Sequence, residues 1–170
     1  MATHPRLGAA LFALLACNTI YYIVAGRVSE ALDSVAWYAL LILFLLESGN
    51  PRLVQLRGAR AAMRAARVIA TLAICVTAVL YVREKEWLDA TNLLLWIAVV
   101  ILLEIEVWQP DRVAVHRRAF TFSAIALYGA LSVMVMIWLL NGKWMNAWDA
   151  TLWLLAFGLL EADILLQNSI

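Results

Sequence analysis

The residues with the most chemical reach in this sequence are carboxylates that close long apolar runs: Glu47, Glu104, Glu106, Glu161 and Asp163. Ionisable groups in or beside a bilayer are costly, so they are paired or they line an ion or proton path. Glu47, Glu104 and Asp163 follow Asp33, Asp89 and Asp149 by 14, 15 and 14 residues. That places them near helix C-termini, where the dipole disfavours negative charge. One reading is ion pairing with arginines. The other is a proton or cation relay, in which Glu161 stands out because no basic residue follows it. Asn18 is the one amide near the middle of an apolar run. It is read as a helix–helix hydrogen bond or as a ligand in the same path.

Asp33, Asp89 and Asp149 each precede a leucine-rich stretch. An aspartate there accepts bonds from free amides and suits the positive helix end, so all three are expected to be caps. The rival reading is an acidic ring that gathers cations. Arg57, Arg60, Arg64 and Arg67 are spaced three, four and three. On a helix they share a face within about 80°. With Arg117 and Arg118 they are expected to rest on anionic headgroups or to pair the carboxylates. Thr71, Thr77, Ser123, Tyr128 and Ser132 are candidates for interhelical hydrogen bonds. Cys17 and Cys75 lie within apolar runs and read as buried, apolar thiols. The two histidines, His4 and His116, are too few for a bis-histidine haem or a di-iron site, and no metal is expected. No Walker loop, G-x-S-x-G, H-E-x-x-H or dinucleotide fingerprint occurs, so the chain reads as non-enzymatic.

The elements that must hold these residues follow from composition. The chain has 170 residues, 65% hydrophobic and 15% charged, and a mean hydropathy of +0.86. Soluble domains are about 45–50% apolar and about 25% charged. A short chain cannot hide so much apolar surface, which excludes a soluble globule as well as disorder. A net charge of +1 gives no footprint for nucleic acid. The runs are continuous and do not alternate, so helices rather than a barrel are expected. Six candidate spans are Leu7–Ala25, Leu32–Leu46, Arg67–Val82, Trp87–Trp108, Ala119–Leu140 and Ala147–Leu166. The first reads as an uncleaved span because it is too long for a signal-peptide core. The third extends back over residues 59–66 if its arginines snorkel.

Nine basic residues (Arg6, Arg52, Arg57, Arg60, Arg64, Arg67, Arg112, Arg117 and Arg118) fall on one side of this arrangement. Four (Arg27, Arg83, Lys85 and Lys143) fall on the other. The positive-inside rule then puts both termini in the cytoplasm. Trp87, Trp138, Trp144 and Trp148 mark the outer boundary. The arginine, alanine and leucine content points to a bacterial inner membrane. The three aspartate segments, 56 and 60 residues apart, read as three tandem hairpins, about 7–48, 59–108 and 119–167, of triplicated origin. The expectation is therefore an all-α polytopic membrane protein, one six-helix transmembrane domain. It would scaffold or stabilise a homo-oligomer or larger membrane complex, with lipid and itself or other subunits as partners and bound phospholipid in place of a cofactor. A small proton or cation channel or transporter, and a lipid- or quinone-binding sensor, are the rivals.

Overall fold

The computed structural model describes residues 5–49 and 56–167, with side chains for 7–47, 56, 58–106, 109 and 111–159. Among the described residues there are seven helices and no strand: α1 Pro5–Ala25, α2 Val28–Gly49, α3 Arg57–Arg83, α4 Trp87–Trp108, α5 Pro110–Val115, α6 Arg117–Leu140 and α7 Trp144–Gln167. Five of them contain stretches long and apolar enough to cross a membrane: Leu7–Ala25, Val28–Glu47, Gly58–Arg83, Trp87–Glu106 and Arg117–Leu140. Large apolar side chains face outward on these helices, with Val24 80% and Leu140 83% exposed. A soluble protein does not present such a surface to water. The chain is a helical membrane protein.

Helix boundaries depart from the expected spans where polar side chains intervene. α2 begins at Val28, ahead of Leu32, because Glu30 reaches back to the Arg27 backbone N–H at 2.8 Å. This is half of a capping box, and it starts the helix one turn early. α3 runs through the arginine stripe as one helix of 27 residues, about 40 Å long at 1.5 Å per residue. That exceeds the ~30 Å of hydrocarbon by about two turns. The short α5 was not legible in the sequence; Pro110 opens it at a position where a missing N–H costs nothing.

The chain forms two compact units, Ala13–Glu86 and Trp87–Ile170 together with Met1–Phe12. In the first, α2 packs along α3. Ala70, Ile74, Thr77 and Tyr81 are buried at helical spacing on α3, as are Leu15, Asn18 and Tyr22 on α1. Cys17 and Cys75 fall off these stripes and are exposed, which corrects their expected burial. In the second unit α6 packs on α4 and α7. Met134, Trp138, Ala147 and Ala150 form a core cluster with Leu88 and Leu95 against it. Phe157 stacks obliquely on Trp96 with centroids 5.0 Å apart. Trp138 is 2% exposed and belongs to this core, not to the boundary belt. Trp87, Trp144 and Trp148 remain exposed.

Two helix C-termini use the same device. Glu86 N–H donates to Tyr81 O at 3.0 Å and Lys85 N–H to Val82 O at 3.2 Å. Lys143 N–H donates to Trp138 O at 2.9 Å and Gly142 N–H to Leu139 O at 3.2 Å. These pairs are Schellman closures that satisfy the last carbonyls of α3 and α6. Each requires a left-handed residue, Lys85 at φ 60° and Gly142 at φ 72°. A side chain there costs about 1 kcal/mol, which glycine avoids. Lys85→Gly should therefore raise the melting temperature in detergent, and Gly142→Ala should lower it, each by about 1 kcal/mol of stability. Thermal unfolding of the two variants checks the opposite signs; a shared sign refutes the turn assignment.

Candidate functional site

A cluster of polar side chains in the first unit lies around the start of α2 and the end of α3. Arg27 is the hub. Its Nη2 bonds Glu30 Oε1 at 2.8 Å, and its Nη1 lies 2.6 Å from Glu86 Oε1 and 3.6 Å from Glu84 Oε2. Ser29, fully buried, donates to Glu84 Oε2 at 2.6 Å. One guanidinium thus holds three carboxylates from two turns of the chain. Arginine suits this role because its planar fork donates in several directions at once. The group is half-exposed, so screening keeps the gain of each pair small.

Behind this clamp a row of buried polar groups continues into the unit. Tyr81 donates its hydroxyl to Asp33 Oδ2 at 3.2 Å. Ser34 donates to Thr19 Oγ1 at 3.1 Å, and Thr19 donates to Leu15 O at 2.9 Å. Asn18 and Thr77 are buried in the same unit. Polar groups from α1, α2 and α3 therefore sit in an otherwise apolar unit, and the low dielectric strengthens each bond that is made.

The second unit places Asp89 at the comparable end. Asp89 is 4% exposed. Asn146 Nδ2 donates to its Oδ1 at 3.0 Å, and Lys143 Nζ lies 3.9 Å from its Oδ2. A buried carboxylate survives when it is paired and hydrogen-bonded, and these two residues of the α6–α7 turn and α7 provide both.

The aspartates do not share one role. Asp89 lies in the first turn of α4, and its carboxylate is held by Asn146 and Lys143. Asp33 and Asp149 stand more than a turn inside α2 and α7, so neither caps a helix. The reason is that the helices begin earlier than the leucine runs imply. Counted from those starts, the third helical residues are Glu30, Asp89 and Asn146, and the sixth are Asp33, Asn92 and Asp149. The residues before the starts are Arg27, Glu86 and Lys143. Sequence reasoning missed this register. The R-x-x-E spacing of Arg27 and Glu30 was the signal for it.

At the opposite helix ends, Glu47 Oε2 pairs with Arg67 Nη2 at 2.5 Å, joining α2 to α3. Glu104 and Glu106 are exposed on α4, Arg60 and Arg64 on α3, and Arg117 and Arg118 on α6. The side chains of Arg57, Glu161 and Asp163 lie outside the described residues. The expected interhelical role of Thr71, Thr77 and Ser132 is corrected. Their hydroxyls donate to Arg67 O, Ala73 O and Tyr128 O, each four residues back in the same helix. A β-hydroxyl satisfies itself this way when no partner faces it. Among the described residues no three His, Cys, Asp or Glu side chains gather closely enough to hold a metal ion.

No family model, curated protein or solved structure matches the chain. The geometry predicts unequal costs at Asp89. Asp89→Ala leaves Asn146 and Lys143 without their buried acceptor and should lower stability by about 3 kcal/mol. Asp89→Asn keeps an acceptor for Asn146 and should cost less. Unfolding midpoints in mild detergent test the order; equal midpoints would mean that Asp89 is not a structural joint.

Proposed function

We propose that this chain is a non-enzymatic integral membrane subunit that scaffolds or stabilises a homo-oligomer or a larger membrane complex. One observation carries the reading. Ser29, Ser34, Glu47, Tyr81 and Asp89 each join one helix to another, while large apolar and aromatic side chains, including Trp87, Trp144 and Trp148, face outward. A body braced within and apolar without is suited to packing against other membrane helices.

In this reading α7, with 24 residues, is the sixth span. The six spans form three hairpins in a bacterial inner membrane with both termini cytoplasmic, following the basic-residue bias. The matched helix starts support a threefold repeat of the hairpin: Arg27, Glu86 and Lys143 precede the second helices, and polar residues recur at the third and sixth positions. The spacing is then 59 and 57 residues rather than 56 and 60. Gentle solubilisation followed by native mass spectrometry tests the role. A defined oligomer or a stoichiometric membrane partner is expected; a lone monomer under every mild condition refutes it.

A second reading, a proton or cation path, is favoured by the buried polar row of the first unit. It shifts the relay from Glu161 to Asp33, Tyr81, Ser34, Thr19 and Asn18. Proteoliposomes should then dissipate a proton or cation gradient, and Asp33→Asn should slow the flux about a hundredfold, the lower end of what one positioned proton-transfer group contributes. Flux equal to that of empty liposomes for protons and monovalent cations removes this reading.

A further inference from the structure

The elbow between α5 and α6 has a composition that neither helix packing nor the polar joints use. Arg112, His116, Arg117 and Arg118 are all exposed there. The elbow is pinned: the His116 backbone N–H donates to Arg112 O at 3.0 Å, and His116 Nδ1 lies 3.2 Å from the same oxygen. Over residues 109–122, three arginines face one carboxylate, Asp111. The first turn of α6 has no acidic residue. Its free amides carry positive partial charge, so Arg117 and Arg118 stand where cations are disfavoured. An anion at the elbow offsets both.

A shallow groove crosses this surface, lined by Val115, His116, Arg117, Arg118, Thr121 and Phe122. Val115 is 79% and Phe122 72% exposed, so the basic cluster borders apolar surface. From Arg118 an exposed stripe continues down α6 at helical spacing through Phe122, Ile125, Gly129, Val133 and Met136. At Gly129 an added Cβ would meet nothing within 4 Å, which leaves an open notch on the stripe. α6 is itself long and apolar enough to cross the membrane, so the cluster lies at headgroup depth and the stripe at acyl-chain depth.

We propose that this elbow is a binding site for one anionic phospholipid, with its phosphate between Arg117 and Arg118 and an acyl chain along Phe122, Ile125 and Gly129. Charge complementarity selects the headgroup, since clustered arginines on a membrane helix attract anionic lipid. The apolar stripe selects a lipid over a free anion. The inference rests on the membrane location of α6 and not on the scaffolding role, so either can fail alone.

The test uses the full chain in detergent, titrated with fluorescent phosphatidylglycerol and, separately, phosphatidylcholine. Phosphatidylglycerol should bind more tightly. The double variant Arg117→Gln, Arg118→Gln should weaken it roughly thirtyfold, the effect of removing two arginines from an anionic surface. Arg83→Gln, an exposed basic residue at the other end of α3, should leave it unchanged. Phe122→Ser keeps every charge and should still weaken binding, which covers the case in which the arginine variant does not fold. Equal affinity for the two lipids, no loss in either elbow variant, or full displacement by inorganic phosphate overturns the proposal. The last result would mark a free-anion site, and chain dimerisation blocked by the same variants would mark an interface between copies.

Discussion

Hydrocarbon offers no water to a backbone amide, and the rest of this structure follows from that constraint. Every N–H and C=O within the bilayer must be satisfied by the chain itself, which leaves helices as the form for continuous apolar runs. The constraint extends to side chains. Thr71, Thr77, Thr121, Ser132 and Thr151 turn their hydroxyls onto the carbonyl four residues back in their own helices. Where two polar groups face each other, as at Ser34 and Thr19, the Ser34 hydroxyl leaves its own helix.

Helix ends are where the constraint relaxes, and there the chain places its charges. Lys85 and Gly142 close α3 and α6 with the same backbone bonds. The two units then brace the neighbouring helix starts with different chemistry. The first gathers Glu30, Glu84 and Glu86 around Arg27, half in contact with solvent. The second buries a single carboxylate, Asp89, between an amide and an ammonium. The first tolerates screening because several pairs share the load. The second depends on complete satisfaction, because an unpaired buried charge is far costlier than an unpaired exposed one.

In this division several of the carboxylates with chemical reach are placed as joints. Glu47 closes on Arg67, Asp33 on Tyr81 and Asp89 on Asn146, so three carboxylates singled out by spacing are held by neighbours within their own unit. Polar chemistry on the exterior is concentrated instead on the basic helix starts, where α3 and α6 carry exposed arginines beside apolar surface. An exterior of that kind is what the proposed packing role and the proposed lipid site would use.

The sequence alone determined that this is a helical membrane protein. Apolar run length and the absence of alternation are local properties, and hydrocarbon thickness converts them directly into helices. It also made the arginine stripe of α3 legible, because snorkelling depends on side-chain length and not on neighbours. Tertiary structure alone decided which polar residues of different helices meet, whereas the helix starts are set locally and were obscured by the leucine runs. Glu30 starts α2 ahead of its leucines by a bond to Arg27, which makes Asp33 an interior residue, and α7 begins at Trp144, which does the same for Asp149. The outward placement of Cys17 and Cys75 and the burial of Trp138 were likewise fixed by which helix faces touch. Hydrophobicity sets how far a residue lies from water, but in a chain apolar on every side it does not say which face meets lipid and which meets protein. That choice is made by contacts between helices distant in sequence.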